Sequence, residues 1–195
     1  MTEQIKIMEM INRWGYLNLE QIALLLNKNK KTVESQLSVL VKKKLITADK
    51  LTRKNIYVLS SSGNYHFARH AHQIKINFNE LKHQDILIKW LTQQNNIDSY
   101  LTERELKMEN GNLIGYPDLV VYKNDNSCQV IELERTRKAP DRFIKKLDSL
   151  QEYYKQGICV HWITLTPTLS NWIKNQINTY AWEELNTHEI WNNKE

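Results

Sequence analysis

Cysteine is scarce in this chain, with two in 195 residues. Cys128 and Cys159 form no metal-ligand pattern, and a reducing cytoplasm is the expected compartment. Cys128 begins an apolar segment, and Cys159 sits within Ile158-Cys159-Val160 as a core residue. No long uncharged apolar run is present, so membrane insertion is not expected. Met1-Thr2-Glu3-Gln4 has neither a charged leader nor an apolar stretch, so no secretory signal is expected. Internal repeats and low-complexity segments are also missing. What remains is 41% hydrophobic and 25% charged residues, the balance of a globular protein in water. The length suits one domain or two small ones.

The charge is uneven. Residues 1–62 hold eleven Lys and Arg against five Asp and Glu, a net of +6. The remainder holds sixteen against seventeen, a net of −1. The basic excess in the first third points to a polyanion as its partner.

Ile5, Ile7, Met8, Ile11 and Trp14 recur at helical spacing, and Gly15 ends that helix. Asn18 caps a second helix carrying Ile22, Leu24, Leu25 and Leu26. After the turn Asn27–Lys30, a third helix has Val33, Leu37, Leu40, Val41 and Leu45 as its apolar side. Its polar side carries Lys30, Lys31, Thr32, Ser35, Gln36 and Ser38. Two short strands, Leu45–Thr47 and Ile56–Leu59, flank Lys50, Arg53 and Lys54. This order resembles the winged helix-turn-helix. That resemblance puts Lys30, Lys31, Thr32, Ser35 and Gln36 near phosphates or base edges in the major groove of double-stranded DNA. Lys50, Arg53 and Lys54 on the wing would contact the flanking backbone. Some winged helices bind proteins instead, but a basic, short-chained polar face favours the groove.

Residues 63–78 read as a linking helix, and 79–195 as a second domain. Asn79–Leu91 is a helix with His83, Leu87 and Trp90 along one face. Tyr100–Leu106 alternates as a strand with Glu103 at its middle, and Gly111-Asn112 marks a turn. Strands Asp118–Tyr122 and Cys128–Glu134 flank the hairpin turn Asn124-Asp125-Asn126. A helix over Ala139–Lys155 carries Pro140 near its start, and Gly157 closes it. Ile158–Leu165 reads as a buried strand, Thr168 opens another helix, and Thr179–Trp191 supplies one or two late strands. The fold class is therefore α+β or α/β: an N-terminal winged helix-turn-helix, then a mixed sheet flanked by helices.

Asp118 follows Pro117 at the head of one strand, and Glu132 and Glu134 stand two apart near the end of the next. Strand side chains alternate faces, so Glu132 and Glu134 share a face while Ile131 and Leu133 point into the core. If the strands pair, Asp118 joins them. Three crowded carboxylates repel one another unless a cation neutralises them, and oxygen ligands favour Mg²⁺ or Mn²⁺.

This pattern resembles the PD-(D/E)xK nuclease superfamily, with Glu134 where its lysine stands and Lys138 as the candidate replacement. Lys145 and Lys146 are weaker substitutes. The order of elements matches its restriction-endonuclease-like core. His83–Leu87, Thr102–Leu106, Pro117-Asp118 and Glu132–Lys138, with Glu132, Glu134, Thr136 and Lys138 as Glu-x-Glu-x-Thr-x-Lys, together resemble the replication-relaxation proteins and MobC-type plasmid mobilisation relaxases.

The resemblance implies a metal-dependent DNA endonuclease that nicks a plasmid at its transfer origin. Asp118 and Glu132 would be metal ligands, and Glu134 either a third ligand or a water-orienting base. Lys138 would steady the phosphate or help deprotonate water. Glu103 would complete the cluster. His83 is either a core histidine or a phosphate or acid–base group. Arg135, Arg137 and Arg142 would line the DNA path. A homodimer and other mobilisation or coupling proteins are the implied partners. The alternative is a non-catalytic winged-helix regulator or plasmid replication accessory protein with a degenerate nuclease fold, favoured by the missing lysine.

Overall fold

The computed structural model describes residues 2–50, 54–67, 75–111, 115–179 and 188–192. The chain forms two compact units, Met1–Asn95 and Asn96–Glu195. The sequence reading divides the chain after residue 78, whereas the compact units divide after Asn95. Among the described residues no helix is long and apolar enough to cross a membrane.

Helix α1 (Glu3–Trp14) starts at the Thr2 cap and ends at Gly15, whose φ of 87° suits a residue without a Cβ. It buries Ile7, Met8, Ile11 and Trp14. Strand β1 (Tyr16–Asn18) follows, and Asn18 then caps α2 (Leu19–Leu25) in a reciprocal capping box with Gln21. Asn29 caps α3 (Lys30–Lys42). Strands β2 (Ile46–Lys50) and β3 (Asn55–Leu59) complete an antiparallel sheet of order β1-β3-β2. The winged-helix reading is thus realised, with one addition. The sequence reading passes over β1 because three residues are too few to show alternation.

A short α4 (Ser61–Asn64) stands where the linking helix is expected, and residues 68–74 lie outside the described residues. A Cβ on Gly63 would lie 2.0 Å from the Leu45 carbonyl oxygen, so only glycine allows this turn to close on the sheet. Helix α5 (Phe78–Thr92) belongs to the first unit. Buried polar contacts hold it there. Gln84 Nε2 donates to the Trp14 carbonyl at 2.9 Å, and Gln21 Nε2 donates to Asp85 Oδ1 at 2.8 Å. The Tyr16 hydroxyl bonds the Asn77 backbone.

The second unit is a five-stranded sheet of order β4-β5-β6-β7-β8: Ile97–Thr102, Leu119–Lys123, Cys128–Glu134, Cys159–Thr164 and His188–Asn192. The first three strands are antiparallel and the last three parallel. Helices α6 (Glu103–Asn110), α7 (Pro140–Lys155) and α8 (Pro167–Thr179) accompany it. Phe143, Leu147, Leu150 and Tyr154 of α7 meet Val130, Val160 and Trp162 in one apolar core. The Phe143 and Trp162 rings lie 5.3 Å apart.

Two expectations change here. Tyr100–Leu106 is not one strand, because Thr102 and Glu105 form a capping box that turns the chain into α6 at Glu103. Of the late strands, β8 is described, and residues 180–187 lie outside the described residues.

Candidate nucleic-acid interface and a buried carboxylate cluster

Helix α3 divides its faces cleanly. Val33, Leu37 and Leu40 are buried, while Lys30, Lys31, Thr32 and Ser35 are exposed. These four side chains are free of the unit's core and form a basic, hydroxyl-bearing face. Gln36 sits at its margin, half-buried, with its Oε1 accepting from Gln4 Nε2 at 3.1 Å. Lys50 ends β2 in register with Asn55, so it stands at the tip of the wing, and Lys54 directly precedes β3. Arg53 lies outside the described residues.

Glu20 of α2 was not singled out from sequence. Its carboxylate lies 3.8 Å from Lys30 Nζ and 3.3 Å from Lys54 Nζ. Nothing in the local pattern signals this, because the three residues meet only through the fold.

In the second unit Asp118, Glu132 and Glu134 do come together. Leu119 pairs with Ile131, which places Asp118 beside Glu132 on one face. Asp118 Oδ2 accepts from the Leu133 N–H at 2.7 Å. Strand β6 is central, with β5 on one side and β7 on the other. Both its faces are covered, so Glu132 and Glu134 are as buried as Ile131 and Leu133.

Each glutamate meets a lysine. Lys146 Nζ from α7 is 2.7 Å from Glu132 Oε1 and donates to the Tyr116 carbonyl at 3.0 Å. Lys138 Nζ donates to Glu134 Oε1. Lys146, weighed as the weaker substitute, therefore holds the central acid, while Lys138 holds the outer one.

Burial pushes Glu132 up to about 8, with Lys146 opposing and Asp118 adding to the rise. Glu134 is raised by burial, with Lys138 opposing. Burial lowers Lys146, but Glu132, Asp118 and Glu103 outweigh it and the net shift is upward. A raised acid favours its neutral form and a raised lysine favours the ion pair, so the two shifts disagree. The ammonium is the firmer charge, because several carboxylates and a carbonyl surround it. Glu132 is therefore the member that titrates.

Glu103 stays beside the cluster: it opens α6, its N–H donates to the Asp118 carbonyl at 3.0 Å and its charge acts on Lys146, while its carboxylate pairs with Lys107 at 2.6 Å. The other predicted residues scatter. His83 is half-buried on α5, in the first unit. Arg135 is half-buried, and Arg137 lies 5.4 Å over the Trp172 ring. Arg142 and Lys145 are exposed. Among the described residues no group of three or more His, Cys, Asp or Glu is arranged to hold a metal ion. With ammonium groups seated on Glu132 and Glu134, this arrangement does not fit Mg²⁺ or Mn²⁺.

Nothing among curated proteins matches the chain. A crystal structure of the AntR antimony-specific transcriptional repressor shares 16% identity over 46% of this chain and 69% of that one. Its TM-score is 0.27, and no argument rests on it. The family model described as penicillinase repressor matches residues 2–107. That match overturns the resemblance to mobilisation relaxases, and with it the Mg²⁺- or Mn²⁺-dependent endonuclease, the role at a transfer origin and the mobilisation partners. The carboxylates that suggested a nuclease lie beyond the matched residues and are answered by lysines. More than half of the chain falls inside the match, and the protein belongs to the penicillinase repressor family, a family of winged-helix transcriptional repressors.

Proposed function

We propose that the protein is a sequence-specific DNA-binding repressor that sets α3 in the major groove and works as a homodimer. The observation that carries this reading is the exposed face of Lys30, Lys31, Thr32 and Ser35 on a helix whose other side is locked into the winged-helix core. Short hydroxyl and amide side chains reach base edges, and lysines reach phosphates. Gln36 contributes from the margin of that face. Lys50 and Lys54 extend the contact to the flanking backbone. Residues 1–62 form the DNA-binding element, and α5 braces it through Gln84 and Asp85.

The second unit is, in this reading, a non-catalytic relative of the endonuclease-like fold. Its support is the lysine on each glutamate: Lys146 ties α7 to the sheet through Glu132, and Lys138, in the segment before α7, occupies Glu134. Removing either glutamate would leave the facing ammonium without its buried partner.

The test is footprinting on the DNA upstream of the protein's own gene, with transcription from that promoter measured in vitro. A protected site and reduced transcript support the reading. Protection that Lys31→Ala and Ser35→Ala leave untouched would contradict it.

A further inference from the structure

Glu20 stands where DNA phosphate is expected to arrive. It is the second residue of α2, in the turn directly after the Asn18 cap. Lys30, the first residue of α3, and Lys54, the residue before β3, approach the same carboxylate oxygen from separate segments. Both lysine side chains remain more than half exposed. That exposure puts them within reach of a duplex while Glu20 holds them between encounters.

Partial burial raises the Glu20 carboxyl, but its own backbone N–H, Lys54 and Lys30 outweigh this and hold it below the usual glutamate range. Glu20 is therefore ionised at neutral pH, and its charge faces the phosphates that the two lysines would bind.

From this geometry we infer that Glu20 is an internal phosphate mimic, a positioning residue that competes with the DNA backbone for Lys30 and Lys54. The inference rests on the DNA-binding reading above. Exposed ion pairs are weak, each worth at most about fivefold in an equilibrium constant. They contribute little to folding. At the interface, however, two of them must be exchanged for phosphate contacts, and Glu20 still repels the incoming strand. The consequence is lower affinity for any duplex through its backbone, so that binding leans on the base-edge contacts of Thr32 and Ser35.

The experiment is fluorescence anisotropy with a labelled duplex of random sequence, titrated across a salt series with wild type, E20Q and E20D. E20Q keeps the size and hydrogen-bonding reach of the side chain and removes its charge. It is expected to bind about three- to tenfold more tightly. The dependence of log K on log salt should steepen by about one to two, since Lys30 and Lys54 no longer exchange the Glu20 charge for phosphate and release more counterions. A merely structural role for Glu20 would not move that slope. E20D keeps the charge and should stay near wild type. Adding Lys30→Gln and Lys54→Gln to E20Q should abolish the gain.

Equal affinity and equal slope for wild type and E20Q would overturn the role of Glu20 while leaving the DNA-binding reading intact. Wild type and E20Q both folded and both unable to bind at low salt would overturn that reading and this inference together.

Discussion

Replacing Glu132 by glutamine should change how stability depends on pH. In the folded chain burial holds this carboxyl protonated up to about 8, whereas the ordinary value is 4.5. Between those values the unfolded chain releases a proton that the folded chain keeps. The sign follows directly: this group's contribution is fully present below 4.5 and is lost as pH rises through 8. One proton is worth about 1.4 kcal/mol per pH unit, so most of that window costs roughly 3 to 4 kcal/mol. E132Q cannot titrate, and the Tyr116 carbonyl keeps its own bond to the Lys146 ammonium. Urea unfolding of both proteins at pH 5 and pH 8, followed by circular dichroism, gives the two stability differences. Wild type should lose roughly 3 to 4 kcal/mol relative to E132Q over that interval. Groups remote from Glu132 are common to both proteins and cancel in the comparison. A constant difference between the two proteins at both pH values would refute the buried, proton-holding acid.

Gly63→Ala should destabilise the first unit by about 2 kcal/mol or more, because its Cβ would meet the Leu45 backbone oxygen at 2.0 Å; thermal melting of wild type and variant measures it. Mg²⁺ or EDTA should leave the melting temperature unchanged, since the Lys138 and Lys146 ammonium groups already occupy the space beside Glu134 and Glu132. Supercoiled plasmid incubated with the protein and Mg²⁺ should likewise stay supercoiled, and metal-dependent open circles would contradict the assignment of a repressor.

The first unit was largely legible in the sequence because each helix states its period and its ends. Ile7, Met8, Ile11 and Trp14 mark one face, and Gly15 marks the stop. Asn18 marks one start, and the turn Asn27–Lys30 announces the next helix, whose Asn29 cap only the structure reveals. Strand β1 was not legible, since Tyr16, Leu17 and Asn18 are all buried and show no alternation. Thr102 and Glu105 carried a capping signature, but the alternation from Tyr100 onward competed with it and hid the start of α6.

The carboxylates were found, and Lys138 and Lys146 were weighed beside them, Lys146 only as a weaker substitute for a catalytic lysine. Strand alternation places Glu132 and Glu134 on one face, but it does not tell whether a metal ion or a lysine answers them. The clue lay in α7, where Lys146 falls three residues after Phe143 and four before Leu150, on the side that turns to the core. Helical spacing there counts as much as the strand motif. The misassigned family has the same cause: a pattern of acids on paired strands serves a salt-bridged core as well as a nuclease.

The most direct test of the central claim is a salt-dependent titration of duplex DNA from upstream of the gene with wild type and Lys31→Ala. A DNA-reading α3 predicts tight binding that weakens steeply with salt, and a slope about one unit shallower in the variant. A folded protein that leaves this DNA unbound at low salt, or a slope that Lys31→Ala does not change, would contradict it.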